Sequence, residues 1–172
     1  KLLSYTGINS FANFPVNRAK QFVPVSHDGH VIGDVILFHL AENQALIVGR
    51  VPTINWVEYH AKTGGFKVTT ERDDRSPSRP GPKAVTRKRY RYQVQGPNAW
   101  KVLEKLNGGP IPEVKFFTMG EINIAGRKVR CLRHGMSGAP GLELWGPFEE
   151  GEEIRDAIFE AGKEFGLRLC GS

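Results

Sequence analysis

Two carboxylates stand where their neighbours point away from water. Asp34 lies inside "HDGHVIGDVILFHL", residues 27 to 40, and Glu143 inside "GLELWGP", residues 141 to 147. The run Val31 to Leu40 is branched and apolar, which predicts a strand covered on both sides. Alternation then places Ile32, Asp34, Ile36, Phe38 and Leu40 on one face, and Val31, Gly33, Val35, Leu37 and His39 on the other. An isolated buried carboxylate is very costly, so Asp34 must hold a partner or keep a proton. Two readings stay open: a structural ion pair or bond to a loop amide, and an acid used in chemistry. Glu143 sits between Leu142 and Leu144 and shares a face with Trp145. Two acceptor oxygens beside an indole suit the edge of a planar, amide-like ring. A structural salt bridge explains the same residue as well.

Other chemistry is poorly represented. His27 and His30 flank a turn without a third and fourth ligand, so no metal site is expected. No Gly-rich phosphate loop and no nucleophile elbow occur. Cys131 falls in an apolar stretch and reads as an inert core thiol. With Cys170 it makes two cysteines, too few for a disulfide framework and suited to a reducing compartment, so a cytoplasmic setting is expected. No run approaches the roughly eighteen apolar residues of a membrane span. "KLLSYTGINS" has no signal-peptide pattern. The net charge of +6 owes much to "ERDDRSPSRPGPKAVTRKRYRY", residues 71 to 92. Its Pro, Ser and Arg content marks a solvated basic loop, suited to drawing in a small anion; a nucleic-acid partner is the lesser reading.

The elements that must position these residues follow from punctuation and period. "AKQFVPV" reads as a short strand, with Pro24 suggesting an edge or a bulge. His27 to His30 form a turn, Val31 to Leu40 the buried strand, and "QALIVGR" returns as another. Pro52 suits the first turn of a helix through "INWVEYHA", and "GFKVTTE" reads as a strand. Beyond the basic loop, "RYRYQVQ" alternates as a half-exposed strand, and "GPNAWKVLEKLNGG" is a helix ended by Gly108. "GEINIAG" and "KVRCLRH" form a hairpin, "GLELWGP" a strand, and "FEEGEEIRDAIFEAGKEFG" a closing helix. The fold class is α+β, with antiparallel sheets flanked by helices and a ferredoxin-like second half (split βαβ). The expected divisions are 1–70, a basic loop 71–88, and 89–172.

Three stretches resemble one family. "DGHVIGDVILFHLAENQALIVGR", "QVQGPNAWKVLEKL" and "CLRHGMSGAPGLELWGPFEEGEEIRDAIFEAGKEFGLRLCGS" are similar, in this order, to motifs of the tetrahydrofolate-dependent aminomethyltransferase (glycine-cleavage T protein) family. The resemblance covers nearly the whole chain except the basic loop. It implies tetrahydrofolate as cofactor and two folate-binding subdomains. It also implies an internal fragment whose partner is the remainder of a longer chain, since family members are considerably longer. On it, Asp34 matches the functional Asp that faces the reactive nitrogens of the folate. Glu143 matches the Glu that grips the pterin edge, with Trp145 beside it. Ile36, Phe38, Val48 and Phe116 match pocket-lining positions.

Departures from the pattern point to a branch. Met136 stands where the family usually has Tyr, Ala139 and Pro140 where it has a Glu-Asp pair, and Arg50 where it has Asn. These resemble the branch that demethylates methoxylated aromatic acids, such as vanillate or syringate, onto tetrahydrofolate. There Arg50 would pair with the substrate carboxylate, for which a planar fork is suited, and Met136 would line the substrate. Met136 cannot donate a proton, so His134, two residues earlier and on the same face of an extended segment, is the candidate acid. A strand-end histidine bonded to backbone is the alternative. Aminomethyl, dimethylsulfoniopropionate or N-methyl transfer on the same fold remains open. So does a non-enzymatic folate-binding module, whose Lys-Gly-Cys motif is absent here.

Overall fold

A computed structural model describes residues 1–74, 87–135 and 137–170. Met136 and most of the basic stretch 71–88 lie outside the described residues. The chain divides into two compact units, Lys1–Arg72 and Asp73–Ser172, each a mixture of helices and antiparallel sheet.

In the first unit, α1 (Leu2–Thr6) precedes a three-stranded sheet, and α2 (Val51–Thr63) follows it. The sheet runs β1 (Ala19–Phe22), β2 (Val35–Ala41), β3 (Gln44–Val48), every pair antiparallel. Pro52 occupies the first turn of α2, where its missing N–H costs nothing. Phe22, Val35, Leu37 and Val57 close the core with Leu2, and Ile47 and Phe66 pack on its rim. The expected strand "GFKVTTE" does not form. Phe66 instead joins the core, and Val68 N–H turns back to Phe66 O (2.9 Å), so the segment has no ladder to join.

β2 is shorter than the strand expected over Val31 to Leu40, and the difference relocates Asp34. Phe22 pairs with Val35, while Val25 bridges Val31. Ile32, Gly33 and Asp34 therefore oppose only Val23 and Pro24, the one-residue excess of a β-bulge. Ile32 N–H donates to Pro24 O (2.9 Å), and Gly33 lets α2 approach, since a Cβ there would run into Thr53 Oγ1. Asp34 falls in the bulge and is exposed, not buried within a strand. The extra residue also removes Ile32 from the alternation that would set it beside Ile36.

The second unit carries β4 (Arg89–Gln95), α3 (Ala99–Asn107), β5 (Met119–Ile124), β6 (Arg127–Leu132), β7 (Gly141–Pro147) and α4 (Gly151–Gly162). The helix α3 stops where its sequence predicts: Gly108 adopts φ 74°, and its N–H caps the Lys105 carbonyl. Sheet order is β4-β7-β6-β5, all neighbours antiparallel. Two strands thus separate β4 from β5, and these two run in opposite directions. A ferredoxin-like split βαβ would put one strand between parallel partners. The stretch 110–115 after α3 has no regular structure, and the strand directions require the chain to return between α3 and β5. One sheet face packs Tyr90, Val94, Cys131, Leu142 and Leu144 against α3 and α4 through Val102, Leu103, Ile154 and Ile158.

Burial pushes the Cys131 thiol up to about 11, and its side chain is 0% exposed, while Cys170 is exposed. Iodoacetamide at about pH 8 should therefore label Cys170 and spare Cys131 in the native protein, as read by peptide mass mapping. Labelling of both without denaturant would contradict the packed core. No helix among the described residues is long and apolar enough to cross a membrane.

Candidate functional site

The first unit turns one sheet face to its core and gathers several candidate residues on the other. Register aligns Gln21, Ile36 and Val48 across the three strands, and Ala19, Phe38 and Leu46 in the next row. Ile36 and Val48 are half-buried, and Phe38 is fully buried. Asp34 stands just beyond the end of β2, where Gln21 Nε2 donates to its Oδ2 (3.0 Å). The sequence-based choice between ion pair and functional acid takes a different form here. Asp34 is a solvent-reached carboxylate anchored by a neutral amide. Arg50 is exposed and occupies the residue before α2, two positions after Val48.

The second unit repeats the arrangement with charge. On the face away from the helices, Arg91, Trp145 and Arg130 form one cross-strand row, and Gln93, Glu143 and Leu132 the next. Glu143 is ion-paired. Arg91 Nε donates to its Oε1 at 2.8 Å, and Arg91 Nη2 donates to the same oxygen. Oε2 lies 3.6 Å from His134 Nδ1. The Trp145 indole is 5% exposed, with the guanidinium carbons of Arg91 and Arg130 at 5.7 and 5.8 Å from its ring centre. The structural salt bridge expected as one reading of Glu143 is thus present, while the indole that the other reading uses is buried against two guanidinium groups.

His134 follows β6 and is held on three sides. Gln93 Nε2 donates to its carbonyl (2.9 Å), so the strand-end bond to its backbone exists. The Phe117 ring stacks on the imidazole at 5.4 Å and 12° between planes, and Phe116 packs on Phe117 at 4.5 Å. Phe117 has φ 54°, a left-handed conformation that costs a bulky residue about 1–3 kcal/mol and clusters at ligand sites. Phe116 is 57% exposed, so it forms an open rim rather than a buried wall. His134 and Glu143, singled out separately in sequence, are brought together. Asp34, Ile36, Phe38 and Val48 share the other unit's sheet face. Sequence reasoning missed Arg91, Gln93, Phe117 and Arg130. The polar phase of "RYRYQVQ" marks Arg91 and Gln93 as one face, but only the β4–β7 register sets them against Trp145 and Glu143.

The donor set suits a flat heterocycle with N–H groups on its edge. A carboxylate has one oxygen free of the arginine fork, a carboxamide sits beside it, and an indole backs both. Among the described residues no group of three His, Cys, Asp or Glu is placed to hold a metal ion.

The GCVT N-terminal domain family matches residues 1–172. Syringate O-demethylase of a Sphingobium species is 52% identical over 169 residues, covering 98% of this chain and 36% of that protein. An aminomethyltransferase of Caldanaerobacter subterraneus is 30% identical over 168 residues, 95% of this chain and 41% of that protein. The aminomethyltransferase of Halalkalibacterium halodurans stands at the same 30%, with 95% and 42% covered. The chain thus spans about two fifths of the length of the curated relatives it matches.

Proposed function

This chain belongs to the GCVT N-terminal domain family, and from that premise we propose that the whole protein is a tetrahydrofolate-dependent O-demethylase. It moves the methyl group of a methoxylated aromatic acid, of vanillate or syringate type, to tetrahydrofolate. The observation that carries this reading is the 52% identity to a syringate O-demethylase, against 30% to aminomethyltransferases, over nearly the same span. In this reading 1–70 and 89–172 are two folate-binding subdomains joined by the basic stretch 71–88. Two thiols outside any disulfide agree with a cytoplasmic setting.

Tetrahydrofolate supplies the amine nitrogen that takes the methyl carbon in an in-line displacement. Glu143 accepts from the N–H edge of the pterin, and Trp145 backs its plane. Ile36, Phe38 and Val48 of the first unit, and Phe116 of the second, are the apolar residues assigned to folate binding. Asp34 would offset the positive charge that develops on the amine nitrogen as the new bond forms. Arg50 pairs with the aromatic carboxylate, and Met136 is assigned to the substrate on sequence alone. As the methyl–oxygen bond breaks, the phenolate oxygen takes a proton from His134; the methylated amine releases its own proton to solvent, and solvent reprotonates His134.

Methyl transfer by the whole protein carrying Arg50→Ala tests the substrate assignment. Loss of a charge-assisted pair worth about 1.5–3 kcal/mol should raise KM for a methoxybenzoate by roughly tenfold to a hundredfold, with kcat little changed. Unchanged KM would remove Arg50 as the anchor. Transfer from an aminomethyl donor and from no methoxybenzoate would replace the reading itself.

A further inference from the structure

We propose that Arg91 is a positioning residue that aims Glu143 at His134 and so holds the imidazole proton on Nδ1. The argument starts from the fork: Arg91 grips Oε1 with both Nε and Nη2, which fixes the carboxylate plane in a way a single donor does not. Oε2 is thereby turned toward His134 Nδ1, 3.6 Å away. Nδ1 is buried and makes no hydrogen bond in this geometry. An ionised carboxylate only accepts, so a lone pair on Nδ1 would face lone pairs on Oε2 out of reach of water. A proton there turns the same juxtaposition into a pair that closes to hydrogen-bond length with a small ring movement. Phe117 stacked on the ring holds its plane, and Gln93 on the His134 carbonyl holds the backbone that carries it. Nε2 is then the atom through which His134 exchanges protons with a ligand.

The use of Nε2 in chemistry rests on the O-demethylase reading; the position of the proton does not. The test is long-range proton–nitrogen NMR correlation on the whole protein with nitrogen-labelled histidine, at about pH 8.5 so that neutral tautomers are compared. The His134 signals are identified by their loss in His134→Gln. The expected result is the Nδ1–H form in the native protein and a shift toward the Nε2–H form in Arg91→Met. Arg91→Lys keeps the charge without the fork and should fall between the two, which preserves the test where the Met variant fails to fold. A native Nε2–H form, or a folded Arg91 variant with an unchanged tautomer, would overturn the proposal. An Nδ1–H form in a protein that demethylates no methoxybenzoate would uphold it and defeat the O-demethylase reading instead.

Discussion

Asp34→Asn should lower kcat for methyl transfer by roughly 10²–10³-fold, the usual effect of removing one group aimed at developing charge. Its thermodynamic stability should stay within about 0.5 kcal/mol, because the change is at an exposed site. The separation of these two effects follows from the bulge. Asp34 lies outside β2, is exposed, and contributes no side chain to the core around Leu37 and Val57. Its carboxylate accepts a hydrogen bond from Gln21 Nε2, and Asn offers an oxygen of the same geometry at that place. Only the charge is lost. Turnover and chemical denaturation of the whole protein measure the two quantities side by side. Unchanged kcat would strike Asp34 from the chemistry, and an equal fall in activity and stability would return it to a structural role.

Local elements were legible because their punctuation is local. Gly108 ends α3, Pro52 opens α2, and Gly126 turns the β5–β6 hairpin next to Ala125 at φ 51°, all from residue types at fixed offsets. The misplacement of Asp34 has a specific cause: alternation counts residues on one strand, whereas a bulge is defined by the mismatch between two. Val31 and Val35 each pair as a strand residue would, so the sequence pattern is correct at both ends and wrong between them. The split βαβ expectation failed similarly. The order strand, helix, hairpin, strand, helix is the observed one, but strand direction depends on the return stretch 110–115, which has no periodicity to read. Glu143 stood out in sequence as a lone acid between leucines. Its partner Arg91 is 52 positions away and was one of several arginines in a basic run. Cross-strand register made that choice.

Glu143→Ala separates the two readings that its sequence context left open. As part of the Arg91 pair, it contributes to stability: the two side chains are 19% and 14% exposed, and removing the carboxylate from so sheltered a guanidinium should cost about 2–3 kcal/mol. As the acceptor for a pterin edge it contributes to binding. One charge-assisted hydrogen bond to the oxygen outside the fork, at about 1.5–3 kcal/mol, predicts a roughly tenfold to hundredfold weaker tetrahydrofolate affinity by calorimetry. Glu143→Gln distinguishes these effects, since it keeps the side-chain volume beside Trp145 and loses the charge. It should recover much of the stability while binding stays weak, because an amide cannot accept at both positions. Normal affinity in a destabilised Ala variant would leave Glu143 as a structural ion pair alone. Weak binding in both variants, with stability restored in Gln, would mean that the arginine fork serves the ligand: it leaves one oxygen of Glu143 able to accept while holding the other.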